Sequence, residues 1–360
     1  MRQIIIKKSF SVLSLSVLFA GAVLAGNADR AGQAGAPELL INPWARSSGM
    51  AGSNSASVKG LEAMNLNVAG IAFTRKTELI FSHTNWLVGT GIGINSFGFT
   101  QGVGETGTVG LSVMSMNFGD IPITTTELPE GNIGTFSPSF VNLGLSYAKG
   151  FSDNIYGGMT VRVISEAISD VSARGVALDA GIQYVTGPYK NVHFGIALKN
   201  VGPRMRYSGD GLSFRTPLPQ NNPGSSKTYT VENRSANFEL PSLLNIGVSY
   251  DFYFSKDSVS MKNHRITAAG NFASNSFQKD QFMFGLEYGF RSFLMVRLGY
   301  MYEQGITVTA DRTTVFTGPT AGVTLEIPFG KNRSTFGFDY SYRQTDPFQG
   351  VHSIGARINL

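Results

Sequence analysis

The sequence predicts an all-β fold, a 14-stranded antiparallel transmembrane β-barrel with an N-terminal hatch segment in the lumen. Two observations lead to this fold. Along many segments apolar residues alternate with small or charged ones, and the charged residues keep to one side of the alternation. Because successive side chains of a strand point to opposite faces, each segment has one apolar and one polar face. A barrel in a bilayer turns the apolar face to lipid and the polar face to its interior.

The stretch 281–303 shows the alternation most fully. A loop of three residues, 291–293, separates two apolar series and keeps both on one face. The series are Phe282, Phe284, Leu286, Tyr288 and Phe290, then Leu294, Val296, Leu298, Tyr300 and Tyr302. The same register places Glu287 opposite Arg297, and we expect this pair to face the barrel interior.

The alternation of apolar and polar residues repeats along most of the chain. The connections between the predicted strands are short on one side of the sheet and include long ones on the other. We predict strands at 79–86, 91–101, 106–118, 140–149, 154–166, 172–185, 191–200, 241–254, 264–275, 281–290, 292–303, 317–327, 333–343 and 350–359. Short connections such as 102–105 fall on one side of the sheet, and the long ones, 119–139 and 201–240, fall on the other. This asymmetry is typical of periplasmic turns and extracellular loops.

The charged residues of the predicted strands occupy the non-lipid parity. They are Arg162, Asp179, Lys199, Asp251, Glu287, Arg297, Glu303, Glu326, Asp339, Arg343 and Arg357. A basic residue on the lipid face at mid-bilayer costs about 2–4 kcal/mol, which explains the sorting. The positive and negative charges of this set nearly cancel. We expect Arg162 to pair with Asp179 and Asp339 to pair with Arg357. A balanced interior favours hydrogen-bonded packing around a plug, with a narrow channel as the alternative.

The first 25 residues have the layout of a secretory signal peptide, because basic residues precede an apolar run that ends in small residues. We expect cleavage after Ala25 or Ala28, a hatch at 26–77 and a barrel at 78–360. The chain has no cysteine, which excludes a lipoprotein anchor and disulfides. An exported barrel of this kind is expected in the outer membrane of a Gram-negative bacterium.

The overall charge argues against a nucleic-acid-binding role. The formal charge is +5, and three of the basic residues, Arg2, Lys7 and Lys8, belong to the predicted signal, which leaves +2. Only 15% of the residues are charged, against 43 glycines and 26 phenylalanines, as suits a protein surrounded by outer-membrane lipid.

The long connection 201–240 is rich in proline and glycine, so we do not expect it to continue the sheet at full length. It also carries five large apolar residues, Leu212, Phe214, Leu218, Tyr229 and Phe238. Such residues on an outer loop either form a partner-binding surface or fold the loop back over the barrel mouth. The sequence leaves both alternatives open.

Motifs for catalysis or cofactor binding are weak. Residues 102–107 fit G-x-G-x-x-G, but a strand-like alternation continues after them, so a tight turn is favoured over a dinucleotide site. The histidines His83, His193, His264 and His352 are scattered without metal-ligand spacing. No motif marks a serine nucleophile. We therefore expect no enzyme, metal or cofactor; a hydrolase built on the barrel wall is the remaining enzymatic alternative.

Two motifs before the first predicted strand suggest a family. Residues 42–52, Asn-Pro-Trp-Ala-Arg-Ser-Ser-Gly-Met-Ala-Gly, resemble the entry motif of the PorV/PorQ family of Bacteroidota outer-membrane proteins, relatives of the FadL transporters. Residues 67–72, Asn-Val-Ala-Gly-Ile-Ala, look like a variant of that superfamily's Asn-Pro-Ala-Gly-Leu-Ala, with valine in place of proline. The resemblance implies an N-terminal segment inside the lumen and service in type IX protein secretion.

Three functions follow from these observations. The first is an accessory barrel of type IX secretion, which binds a large translocon barrel or secreted cargo proteins by their C-terminal domain and has a sealed lumen. The second is a FadL-like uptake channel for a hydrophobic small molecule, with an apolar pocket between hatch and wall. The third is a barrel enzyme with serine and histidine at the outer rim. The first is our leading hypothesis from the sequence.

Overall fold

The computed structural model describes residues 26–217, 228–254, 263–330 and 334–360. The predicted signal peptide and Leu218 lie outside these residues. Among the helices of the described chain, none is long and apolar enough to cross a membrane.

Within the described residues, fourteen strands form one closed antiparallel wall. Each pairs with its wall neighbours, and the last strand pairs with the first. The wall strands are β1 Thr77–Trp86, β2 Ile92–Val103, β3 Gly107–Asn117, β6 Ser139–Gly150, β7 Ile155–Ile168, β8 Val171–Thr186, β9 Val192–Val201, β13 Leu243–Tyr253, β14 His264–Asn275, β15 Gln281–Phe290, β16 Leu294–Glu303, β17 Phe316–Phe329, β18 Ser334–Thr345 and β19 Val351–Asn359. The predicted 14-stranded barrel is confirmed, and the predicted strand ends agree with these bounds within two residues.

Short elements lie in the long loops and in the N-terminal segment. The short strands are β4 Ile121–Pro122, β5 Thr135–Phe136, β10 Tyr207–Ser208, β11 Ser213–Pro217 and β12 Thr228–Glu232. The short helices are Ala28–Arg30, Pro37–Leu40, Ala45–Ser48, Ala63–Leu66, Val68–Phe73 and Asp210–Leu212. The pattern of residues 102–107 is a turn, because β2 and β3 pair from Val103 and Gly107 onward.

The two faces of the wall differ as the alternation predicts. Outward side chains such as Leu145 and Leu298 are large, apolar and 60% exposed, which suits contact with lipid. Inward charged side chains are buried, and Arg297 and Arg357 are each only 1% exposed. The chain thus sorts its side chains between hydrocarbon and lumen rather than between core and water.

The N-terminal segment (residues 26–76) packs inside the wall and spans its height. Asn27 N donates to Asn275 O at the end of the barrel that carries the long loops. In the middle, the hydroxyl of Ser82 on β1 donates to Pro43 O at 2.8 Å. At the other end, where the short turns lie, Leu61 N donates to Glu78 Oε2 at 2.6 Å. Trp44, Leu61, Met64 and Ile71 form a buried core with Ile80 of the wall.

Inward-facing glycines give the N-terminal segment its room. A Cβ on Gly195 would lie 2.7 Å from Ala56 Cα, and a Cβ on Gly299 would lie 2.5 Å from the Met50 carbonyl carbon. A third inward glycine, Gly247, would place its Cβ 3.0 Å from Ala56 N. Real side chains at these positions would displace the segment, so the small residues of the alternation are a packing requirement.

Candidate functional site: a cavity in the barrel lumen

A cavity of about 410 Å³ lies in the lumen at the long-loop end, between the N-terminal segment and the wall. Large apolar side chains dominate its lining. They include Trp86, Phe118, Phe140, Met283, Met301 and Phe316. Trp86 meets Phe316 edge-on at 5.8 Å between ring centroids, and Phe118 meets Phe140 in the same way at 4.9 Å. Cavities of about 300–1,000 Å³ with such linings are typical small-molecule sites.

The sequence predicted an apolar pocket between hatch and wall only under the uptake-channel alternative and named none of its lining residues, although the alternation carried a signal for them. Trp86, Met116, Phe140, Met283 and Met301 are large and apolar, yet they occupy the inward parity of their strands. All five lie near the strand ends on the side of the barrel that carries the long loops. Apolar residues on the polar face of a barrel wall mark an apolar region of the lumen.

A few polar side chains interrupt the apolar lining. Asn245 and Asn271 face the cavity from β13 and β14, and Asn271 Nδ2 donates to Asn245 Oδ1 at 3.0 Å. The two basic groups are Lys199 of β9 and Arg343 of β18. The acid is Glu38 of the N-terminal segment, which is 1% exposed.

The N-terminal segment forms the floor of the cavity. Ser48, Ala51 and Gly52 line it from below. A second cavity, of about 530 Å³, lies on the short-turn side and is lined by charged groups that include Arg46, Arg265, Arg357 and Glu326. The lumen is thus divided into an apolar compartment and a charged one.

The wall is irregular beside the apolar cavity. The pairing of β16 with β17 ends at Tyr300 and Pro319, so the last residues of β16 have no partner on β17. The register of β17 against β18 also shifts between Phe316 and Thr320. Proline has no N–H to donate to a ladder, and it favours a break at this point.

The predicted charge pairs lie in the lumen, and their geometry differs from pair to pair. Arg297 Nε lies 2.6 Å from Glu287 Oε2, and Arg162 Nη2 lies 2.8 Å from Asp179 Oδ2. Arg357 lies 4.0 Å from Asp339 but 3.2 Å from Glu326.

The preference of Arg357 for Glu326 has a simple cause. Gly337 pairs with Glu326 on one side and with Arg357 on the other. With no side chain between them, the arginine reaches across the glycine to Glu326. Asp339 is one pair further along the strand, so the expected contact between Arg357 and Asp339 is present but longer than the contact between Arg357 and Glu326.

The apolar residues proposed as a partner-binding surface divide into two groups. Phe214 and Tyr229 are about half exposed, at 48% and 54%, on the hairpin formed by β11 and β12. Leu212 is half-buried, and Phe238 packs against Tyr207, with ring centroids 5.6 Å apart. Phe238 anchors the loop to the barrel mouth.

The histidines occupy four separate places. His83 contacts Asn95, His264 contacts Tyr288 and His352 contacts Tyr340, each at 2.8 Å. His193 is buried in the lumen, 3.4 Å from Asp251. In the described part of the chain, no group of three or more His, Cys, Asp or Glu residues could hold a metal ion.

The fold and the site together define a 14-stranded transmembrane β-barrel whose lumen holds the chain's own N-terminal segment. Neither a protein-family model nor a curated protein matches the sequence.

Solved structures match the whole barrel. The toluene transporter TodX of Pseudomonas putida aligns with a TM-score of 0.54 and 11% identity, over 88% of this chain and 97% of that chain. A second structure of that transporter aligns with a TM-score of 0.52 and 12% identity, and covers the same fractions of the two chains. The Ralstonia pickettii toluene transporter TbuX aligns with a TM-score of 0.49 and 15% identity, over 88% of this chain and 97% of that chain. At these identities, the likeness to the two TodX structures shows a shared fold.

Proposed function

We propose that this protein binds a small hydrophobic molecule in its lumen and passes it across the outer membrane. The observation that supports this function is the apolar cavity of about 410 Å³ between the N-terminal segment and the wall. A hydrophobic uptake channel requires such a cavity, whereas the accessory barrel of secretion was expected to have a sealed lumen. The toluene transporter TodX shares the fold, and its name agrees with this choice.

The route through the barrel follows from the two compartments. A hydrophobic molecule enters at the long-loop end and reaches the floor formed by the N-terminal segment. The charged compartment below is a poorer environment for it, because a hydrophobic molecule there would displace water from charged groups such as Arg46, Arg265 and Glu326 without replacing the hydrogen bonds of that water. The wall irregularity at Pro319 lies beside the apolar cavity and offers a sideways exit toward lipid.

Filling the cavity tests the proposal. Ala273 of β14 is 2% exposed and lines the cavity, so Ala273→Phe places a ring inside it. Ala268 belongs to the outward set of the same strand, so Ala268→Phe adds the same atoms on the lipid face. We expect Ala273→Phe to lower binding of radiolabelled toluene by about 10-fold or more, and Ala268→Phe to leave it unchanged. Equal binding by both variants and the unmodified protein would contradict the function.

The hairpin of β11 and β12 favours a second candidate function. Its exposed aromatic side chains, Phe214 and Tyr229, are of the type that dominates protein–protein contacts. The partner is then the large translocon barrel or the C-terminal domain of secreted cargo in a Bacteroidota type IX system, as the sequence resemblance implies. Under this candidate, Phe214→Ser with Tyr229→Ser loses co-purification of that barrel or cargo, while Leu128→Ser on another outer loop retains it. Unchanged co-purification by the double variant would exclude the hairpin as the contact.

A further inference from the structure

Three basic side chains of the N-terminal segment line the charged compartment, the cavity of about 530 Å³ at the short-turn end of the lumen. They are Arg46, Lys59 and Arg75. Within the described residues, no hydrogen bond or ion pair joins any of these three side chains to another residue. Lys59 Nζ lies over the ring of Phe73, 5.1 Å from its centroid. The segment thus brings three basic groups into the lumen without a paired acid.

The arginines that the wall contributes to this compartment already have acids. Arg265 pairs with Glu287, which also binds Arg297. Arg357 pairs with Glu326. Because each of these carboxylates is engaged by an arginine of the wall, neither is free to pair with a base of the segment.

Two further acids accept hydrogen bonds from neutral donors of the segment. Glu62 Oε2 accepts from Ser47 N at 3.1 Å and from Ser47 Oγ at 2.8 Å. Glu78 Oε2 accepts from Leu61 N at 2.6 Å. These carboxylates hold the backbone of the segment in place, and the donors of Arg46 are left to the cavity.

Arg357 adds buried donors to the same lining. The residue is 1% exposed, and within the described chain its Nε and Nη1 have no hydrogen-bond partner. Glu78 Oε1 lies 4.0 Å from this Nε, beyond hydrogen-bond distance. Buried N–H groups are rarely left without an acceptor, so an acceptor inside the cavity is expected.

The compartment can be reached from water. Arg75 and Ser292 line it at the short-turn end, and both are exposed. Guanidinium and ammonium groups bind oxyanions through charge-assisted hydrogen bonds. Because three of the bases lack a paired acid, an anion with two or more negative charges is favoured over a monovalent one.

We propose that the charged compartment binds a small polyvalent oxyanion, of the diphosphate or tricarboxylate type. Arg46 of the segment and Arg357 of the wall donate hydrogen bonds to its oxygens, and Lys59 and Arg75 balance its remaining charge. The bound anion therefore links the N-terminal segment to the wall. The site is separate from the apolar cavity and does not depend on the ligand of that cavity.

Calorimetric titration of anions into the full chain tests the proposal. The protein is held in nanodiscs of zwitterionic lipid, and the heat from empty nanodiscs is subtracted. We expect inorganic pyrophosphate to bind at least about 10-fold more tightly than acetate, and citrate shows whether phosphate or carboxylate oxygens are preferred. Arg46→Gln and Lys59→Gln should each weaken pyrophosphate binding by about 10-fold. Pyrophosphate should also slow proteolysis of residues 26–76, because it links them to the wall.

A neighbouring lysine provides the matched control. Lys76 is exposed at the same end and does not line the compartment, so Lys76→Gln should keep the affinity of the unmodified protein. Circular dichroism checks that all variants are folded. If pyrophosphate binds no more tightly than acetate, the anion site is wrong. The same holds if Arg46→Gln and Lys59→Gln weaken pyrophosphate binding no more than Lys76→Gln does. Neither result would touch the proposed function of the apolar cavity.

Discussion

At the level of single residues, the lumen keeps its charges by pairing them. Arg297 is 1% exposed; its Nε donates to Glu287 and its Nη1 donates to Thr324 Oγ1, each at 2.6 Å. Arg265 also donates to Glu287. Removing one member of such a group leaves the other charged in a site with little water. The free-energy cost of that buried charge exceeds the net stabilisation that the pair contributes.

Arg297→Met should therefore lower the free energy of unfolding by about 3–5 kcal/mol. Urea unfolding of the protein in lipid vesicles, followed by tryptophan fluorescence, measures the change. Arg234→Met, at an exposed loop position, is the control and should stay within about 0.5 kcal/mol. The double variant with Glu287→Gln should cost less than the sum of the two single changes, because the pair is lost only once. Strict additivity would show that the two side chains do not interact.

At the level of strands and segments, the alternation determines the wall because each residue has only two environments, lipid or lumen. A one-residue slip would move every side chain of a strand to the wrong one. This is why spans such as 172–185 were predictable, where the structure has Val171–Thr186. The same rule predicted which charges face inward, Arg162 and Arg343 included.

The rest of the site could not be predicted because it joins parts of the chain that are distant in sequence. The alternation places Arg343 inside, yet gives no sign that Arg343 lacks an acid while Arg357 has Glu326. That difference depends on which side chains of non-adjacent strands and of the N-terminal segment reach one another. The hairpins β4–β5 and β11–β12 were missed because they lie in loops where neither face is buried against lipid.

The inward glycines make a prediction at this scale. Gly247 of β13 faces the N-terminal segment, whereas Gly270 of β14 faces outward and has no atom closer than 4.0 Å to an added Cβ. Gly247→Ala should lower the free energy of unfolding by about 1–3 kcal/mol, because the methyl group meets the backbone of Ala56. Gly270→Ala should raise it by about 0.5–1 kcal/mol, since alanine loses less backbone entropy on folding.

Because the two substitutions are expected to change the free energy of unfolding in opposite directions, they distinguish packing against the N-terminal segment from strand propensity. Urea unfolding gives both values, and limited proteolysis should cut residues 26–76 faster in the Gly247→Ala protein alone. Stabilisation by both substitutions would show that the segment does not press on the wall at Gly247.

At the level of the whole molecule, the N-terminal segment begins at one end of the barrel and enters the wall at the other. Gly35 N donates to Glu239 O in the longest loop, and Arg30 Nη2 lies 3.1 Å from the Glu239 carboxylate. The segment ends where Lys76 O accepts from Gly102 N, at the short-turn end. If the long loops are extracellular, the first described residues lie at the cell surface, and the segment runs from the mouth along one side of the apolar cavity to its floor.

The absence of cysteine from the chain makes this topology measurable by single cysteine substitutions. Ala31 and Thr126 are exposed at the long-loop end, and Ser292 is exposed in a short turn. We expect a membrane-impermeant maleimide to label Ala31→Cys and Thr126→Cys on intact cells, and Ser292→Cys only after lysis. Labelling of Thr126→Cys but not Ala31→Cys on intact cells would place the start of the segment away from the surface. Labelling of Ser292→Cys but not Thr126→Cys on intact cells would place the short turns outside, and the proposed direction of uptake would lose its entrance.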